Sequence, residues 1–247
     1  MSTEIARPFS AARTDRRKFL AASGALALAG CATERLGSYE LMQVPAPSWR
    51  VGDRWTYRRT DFYTKLDAGS VTREVVAVGP AGVRLVTRTV DGRTLDDATY
   101  AAPGVEVSGN LSEDSPDVAG TLRPPFERYA FPLASGKRWR QRMTRTDAGG
   151  FRDSLSASTR VEGWETVAAG GREVRAILIR REFNLGPKDS FTGSLYRYET
   201  EWYAPELGGP ARLEIEEWFR EKSHDFFFHS LTPGARYLYE LVSFAAG

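Results

Sequence analysis

The chain has 247 residues, of which 34 are basic, 32 are acidic and 41% are hydrophobic. Five of the basic and two of the acidic residues fall within residues 1–31, so the rest of the chain has 29 basic and 30 acidic residues and a net charge of −1. That balance excludes an overall attraction to nucleic acid or to an anionic surface, and the single cysteine excludes disulfide-based stability. After residue 31 no run approaches 18 apolar residues, so no later membrane-spanning helix is predicted.

An apolar segment follows a basic one near the start of the chain. Arg16, Arg17 and Lys18 precede the run Phe19–Gly30, which is uncharged and consists of apolar or small residues. Twelve residues rise only about 18 Å as a helix, which is too short for a hydrocarbon core of roughly 30 Å. A short apolar run after basic residues is typical of a signal peptide. We therefore predict that residues 1–30 are a signal peptide with a helical apolar part.

The basic residues resemble a particular export signal. The string "RRKFL" resembles the twin-arginine signal of bacteria, with Arg16, Arg17, Phe19 and Leu20 at the positions that carry the likeness. The resemblance implies export of a chain that has already folded in the cytoplasm. Paired arginines also occur in ordinary secretory signals, so general secretory export is the alternative.

A four-residue motif ends the apolar run. The string "LAGC", made of Leu28, Ala29, Gly30 and Cys31, resembles the lipobox of bacterial lipoproteins. The resemblance implies cleavage before Cys31 and acylation of that cysteine, which makes the lipid bilayer the first expected partner. Ala32 stands where enteric bacteria use Asp to retain a lipoprotein in the inner membrane. The resemblance therefore implies the outer membrane, with the protein facing the periplasm.

The remaining chain divides into a tether and one domain. Residues 31–50 lack periodicity and contain two prolines, which predicts a lipidated tether. Beyond it, turn sequences such as Asp91-Gly92 and Gly170-Gly171 separate runs rich in Val, Ile, Thr and aromatic residues. We predict that residues 51–247 form a single mainly β domain. Its core would be one curved antiparallel sheet, in the form of a half-barrel, an open barrel or a sandwich.

Two of these runs alternate with a period of two, which predicts strands with unlike faces. In one run, three arginines share one strand face, and three uncharged residues share the other: Arg138, Arg140 and Arg142, and Trp139, Gln141 and Met143. In the other, mostly aromatic residues oppose charged ones: Tyr196, Tyr198, Thr200 and Trp202 against Arg197, Glu199 and Glu201.

The domain also contains a repeated string. Gly-x-Arg-Trp occurs twice, with Trp55 and Trp139 separated by 84 positions, and a hairpin-like pair of runs follows each copy. Such similarity predicts an internal duplication of residues 51–110 and 134–220 within one sheet. Chance similarity between β-rich segments is the alternative.

Few residues offer catalytic or metal-binding chemistry. His224 and His229 fit no metal-binding pattern, and no nucleophile elbow, phosphate loop or dinucleotide fingerprint is present. Glu214 and Glu216 share a strand face with Trp218, which a carboxylate hydrolase could use. A solvated face whose glutamates pair with cross-strand arginines explains the same pattern. We predict no catalytic residue, no cofactor and no metal.

The domain resembles uncharacterised β-rich lipoproteins of Gram-negative bacteria in the strings Trp49–Arg58 and Trp202–Gly208. Those families carry no established activity. The β-rich, aromatic character is also similar to the half-barrel carriers and receptors of periplasmic lipoproteins, which wrap an acyl chain.

We expect a lipid-anchored binding or scaffolding module for an apolar ligand, an envelope protein or another envelope component, with no role in binding nucleic acid. The alternative is a cell-envelope hydrolase that uses carboxylates. The six tryptophans either fill the β core or line an apolar groove. An apolar cavity of several hundred Å³ would favour a carrier.

Overall fold

A computed structural model describes residues 42–112, 119–187, 193–220 and 231–247, all within the compact unit Tyr39–Gly247. These residues form twelve strands and one short 3-10 helix, Pro205–Leu207, and no helix among them is long and apolar enough to cross a bilayer. The strands are β1 Arg54–Asp61, β2 Asp67–Gly79, β3 Gly82–Thr89, β4 Thr94–Ala102, β5 Val105–Asn110, β6 Ala119–Glu127, β7 Arg138–Thr146, β8 Arg152–Ala169, β9 Arg172–Pro187, β10 Ser194–Ala204, β11 Gly209–Arg220 and β12 Leu231–Ala245.

The strands form one antiparallel sheet that closes into a barrel. Each strand pairs with the next in sequence, and β1 pairs with β12 from Arg54 opposite Ala245 to Asp61 opposite Tyr237. The prediction of a mainly β chain with a curved antiparallel sheet is confirmed. The sheet is closed rather than open because β1 and β12, which would otherwise be exposed edges, satisfy each other's backbone groups.

One end of the barrel is closed by its own chain. The long β8–β9 hairpin reaches β12, where the Gly170 N–H donates to the Leu241 carbonyl at 2.8 Å. The segment before β1 contributes Val44, which bridges to Leu133, and Trp49, whose indole N–H donates to the Gly208 carbonyl at 2.9 Å. The described part of the predicted tether, residues 42–50, therefore lies against the barrel.

Large side chains fill the lumen. A twelve-stranded barrel is wider than the eight-stranded kind, whose interior side chains just fill it. Three clusters of buried residues occupy the interior, centred on Trp55, on Phe126 with Phe183, and on Tyr129 with Tyr203.

The starts of β1 and β7 share a backbone arrangement. Gly52 donates to the Val75 carbonyl and Gly136 to the Val161 carbonyl, each at 2.9 Å. The two glycines are 84 positions apart, which is the offset of the repeated Gly-x-Arg-Trp strings. The observation fits two related halves, and the internal duplication itself stays a prediction.

Replacing Trp55 with alanine tests the packing of this interior. The Trp55 side chain is only 2% exposed and donates to the Leu207 carbonyl at 2.8 Å. Because the substitution removes both the packing and the hydrogen bond, we expect it to lower the free energy of unfolding by about 3–5 kcal/mol. Chemical denaturation measures this change.

Trp218→Ala is the matched control, since Trp218 is partly exposed on the outside of the barrel. We expect it to cost about 1 kcal/mol or less. Equal losses in the two variants would contradict the assignment of Trp55 to the interior.

Candidate functional site

The two faces of β10 point in directions that hydropathy would not indicate. Arg197, Glu199 and Glu201 are buried inside the barrel, whereas Tyr198 is 43% exposed on its outer wall. The predicted alternation is confirmed, and the charged face is the inner one. The lumen of this barrel is therefore polar at its centre.

Three guanidinium groups and three carboxylates meet inside the barrel. The Arg181 side chain is fully buried and lies between two of the carboxylates, 3.2 Å from Glu199 and 2.5 Å from Glu201. Arg128 binds Glu199 from another side at 2.8 Å, and its carbonyl accepts two hydrogen bonds from Arg181 at 3.0 and 3.2 Å. These contacts join β9 and β10 to the segment after β6.

The remaining members extend this group to β11. Arg197 lies 2.9 Å from Glu199 and 3.2 Å from Glu217, and its guanidinium also donates to the Leu111 carbonyl at 3.1 Å. The Ser112 hydroxyl donates to Glu217 at 3.1 Å. We call Arg128, Arg181, Arg197, Glu199, Glu201 and Glu217 the lumen ion network. Its three positive and three negative charges balance.

The network controls the ionisation of Glu199. Burial raises the pKa of this carboxyl, but Arg128, Arg197 and Arg181 together lower it by more, so that it lies at about 2. A carboxyl whose pKa is lower in the folded than in the unfolded protein stabilises the fold at pH values above its unfolded pKa. This contribution is lost as the pH falls towards its folded pKa. Glu199 is therefore ionised in the folded protein at neutral pH.

A small cavity adjoins the network. Its volume is about 100 Å³, and Arg73, Tyr100 and Glu106 are among the residues that line it. The Arg73 guanidinium donates to the Tyr100 hydroxyl at 2.9 Å, and that hydroxyl donates to Glu106 at 3.4 Å. A cavity of this size and polarity holds a few water molecules and is too small for an acyl chain.

Glu106 differs from Glu199 in its ionisation. Its pKa is raised to about 7. Burial is the largest cause, the negative charge of Asp96 adds to it, and the positive charges of Arg128 and Arg73 offset part of the rise. Glu106 therefore binds or releases a proton near neutral pH inside the folded barrel.

A larger depression lies on the outer wall. A groove of about 620 Å³ runs across β7, β8, β9 and β10, with arginines at one rim and tyrosines at the other. We call it the outer groove. Its outward side chains are Arg140, Arg142, Ser156, Ser158, Glu182, Asn184, Tyr196 and Tyr198.

Five exposed arginines surround one side of this groove. We call Arg138, Arg140, Arg142, Arg160 and Arg180 the arginine face. Glu162 pairs with Arg160 and, at 3.4 Å, with Arg180. Within the part of the chain that the structure describes, Arg138, Arg140 and Arg142 form no salt bridge, whereas the fourth arginine of β7, Arg145, points inward and pairs with Asp153. The face therefore presents guanidinium groups to solvent.

The structure also places the sequence-based candidates. Glu214 and Glu216 lie on the outer wall. Glu214 is 2.5 Å from Arg212, and Glu216 is 3.9 Å from Arg236. Such pairing is the ordinary pattern of a solvated strand face. Within the described ranges, no group of three or more His, Cys, Asp and Glu residues could hold a metal ion.

The tryptophans divide between the interior and the wall. Trp49 and Trp55 are buried in the core, as a β core requires. Trp202 and Trp218 are partly exposed because their faces of β10 and β11 point outward, although Trp202 also packs against the core cluster around Trp55.

The predicted export and lipidation positions lie outside the described residues: Arg16, Arg17, Phe19, Leu20, Leu28, Ala29, Gly30 and Cys31. His224 and His229, for which no site was predicted, lie outside them as well.

The structures that resemble this chain include three distant likenesses. No protein-family model and no curated protein matches the chain. A solved structure described as a lipoprotein from Parabacteroides distasonis has 12% identity and a TM-score of 0.45, with 82% of this chain and 99% of that chain covered. An exported protein with a YmcC-like fold from Bacteroides fragilis has 16% identity and a TM-score of 0.43, with 83% and 100% covered.

The third is the hypothetical lipoprotein YmcC of Escherichia coli, with 11% identity, a TM-score of 0.38, and 81% and 90% of the two chains covered. With likenesses this distant, we base the functional proposal on this chain's own residues.

The variant Glu106→Gln tests the ionisation inside the barrel. Between its unfolded pKa near 4.5 and its folded pKa of about 7, Glu106 holds more protons in the folded than in the unfolded state. Its contribution to stability therefore falls as the pH rises through this window, by roughly 3 kcal/mol. We expect the glutamine variant to lose this slope and to be more stable than wild type at about pH 8.

Urea denaturation at about pH 5 and about pH 8 measures the effect. Glu127→Gln removes an exposed carboxyl and serves as the control. The same pH dependence in wild type and Glu106→Gln would contradict the assignment.

Proposed function

We propose that this protein is a lipid-anchored module of the bacterial cell envelope that binds or scaffolds through the outer wall of its barrel. The anchor is the acylated Cys31, which "LAGC" and the preceding apolar run support. Export follows the twin-arginine route, and Ala32 supports a place in the outer membrane, facing the periplasm.

The filled lumen is the observation that carries this proposal. A carrier of acyl chains needs an apolar space of several hundred Å³, whereas the lumen cavity measures about 100 Å³ and is lined by Arg73 and Glu106. Opening a larger space would separate the charges of the lumen ion network. Within the described ranges, the outer wall offers the larger surface to a partner.

The outer groove is the part of that wall best suited to binding. It has the size of a small-molecule site and combines guanidinium, hydroxyl and amide groups with the ring of Tyr198. Arginine and tyrosine are both enriched where proteins recognise partners. We therefore assign binding or scaffolding to the wall formed by β7–β10.

Metabolic labelling with a fatty acid tests the anchor. We expect the wild-type protein to take up the label and Cys31→Ser to lose it entirely, because the thiol is the acceptor. Gel autoradiography of the purified protein measures the incorporation. Label retained in Cys31→Ser would overturn the proposed anchor.

Ala32→Asp is the matched variant for the membrane assignment. It keeps Cys31, so we expect full labelling together with a shift from the outer to the inner membrane fraction in an enteric host. An unchanged distribution between the two membranes would contradict sorting by residue 32.

A further inference from the structure

The arginine face places like charges directly beside each other. Arg138 lies opposite Arg160, and Arg160 lies opposite Arg180, on three neighbouring strands. Like charges in this position destabilise a sheet. Within the described residues, Glu162 pairs with two of the five arginines, so positive charge is in excess on this face although the chain after Cys31 has a net charge of −1. An anionic partner would relieve the repulsion.

The path of the chain indicates which anionic surface is within reach. Val44 packs in one cluster with Val161 and Ile179, whose neighbours in sequence, Arg160 and Arg180, belong to the arginine face. Cys31 lies 13 positions before Val44, which allows at most about 45 Å of extended chain. A lipid on Cys31 therefore keeps the barrel within about 45 Å of the bilayer, which brings anionic headgroups within reach of this face.

The outer groove fits the headgroup region of such a bilayer. Arg140 lies opposite Ser158, and the same row continues through Glu182 to Tyr198, about 14 Å across three strand spacings. One guanidinium group binds two phosphate oxygens at once, and tyrosine is enriched at the interface between membrane and water. The groove thus combines a phosphate-binding rim with an interfacial aromatic rim.

We propose that the arginine face docks on the anionic phospholipid headgroups of the anchoring bilayer, with Arg140 and Arg142 binding headgroup phosphates. The inference rests on the proposed function, because it names the headgroups of the anchoring membrane as the partner of the outer groove and so adds a second contact with that membrane. It fixes the orientation of the barrel, since the wall formed by β7–β9 faces the lipid and the opposite strands face away from it.

Vesicle co-sedimentation of the Cys31→Ser chain tests the docking without a lipid anchor. The vesicles are phosphatidylcholine alone, or phosphatidylcholine and phosphatidylglycerol in equal parts. We expect stronger binding to the anionic vesicles and a loss on the order of 10-fold when Arg140 and Arg142 are both replaced by Gln. Added salt should weaken the binding of the parent chain more than that of this double variant.

The matched control replaces Arg88 and Arg93 by Gln, two exposed arginines on and next to β3. This variant loses the same charge, so we expect it to bind as the parent chain does. All three proteins share residues 1–30, whose contribution cancels in the comparison. Equal melting temperatures establish that the variants fold.

Equal losses in both double variants, or no loss in either, would overturn the docking. In the second case an acidic protein or a polysaccharide would be the partner of the arginine face. These outcomes are independent of fatty-acid labelling at Cys31, so failure of the docking and failure of the anchor are distinguishable.

Discussion

The rest of the structure depends on the charge balance of the lumen ion network. A charge removed from water is costly unless an opposite charge and hydrogen bonds replace the solvent. Arg181 meets this condition only when β9 and β10 are in register and Arg128 closes over them. A slip of one residue in β10 would turn Glu199 and Glu201 out to solvent. The network therefore favours the observed register of β9, β10 and β11.

Charged and aromatic side chains occupy much of the lumen between the described strands. The proposed binding role is therefore assigned to the outside of the barrel. The arginine face lies on β7 to β9 and the outer groove on β7 to β10. The inner face of β9 contributes Phe183 and Arg181 to the interior. One stretch of sheet thus supplies interior packing with one face and the proposed binding surface with the other.

Local patterns in the sequence predicted the strands and their alternation, as in β7 and β10. They did not reveal which face of β10 is internal, because hydropathy alone favours Tyr196 and Tyr198 over Arg197 as core residues. The partners of Arg197 and Arg181 come from distant parts of the chain, and only the closed topology brings them together. The repeated two-residue spacing of opposite charges in "RYETE" was the one local signal of the network.

Mass spectrometry of the protein purified from membranes tests the filled lumen most directly. The purified protein would first be washed to remove lipid that exchanges with detergent, and then denatured. The molecules that it releases would be identified, and their molar amount compared with that of the protein. We predict no apolar molecule in stoichiometric amount, since a cavity of about 100 Å³ beside charged side chains excludes one. Release of one fatty acid, phospholipid or other apolar molecule per protein, beyond the covalent anchor, would contradict a barrel filled by its own side chains.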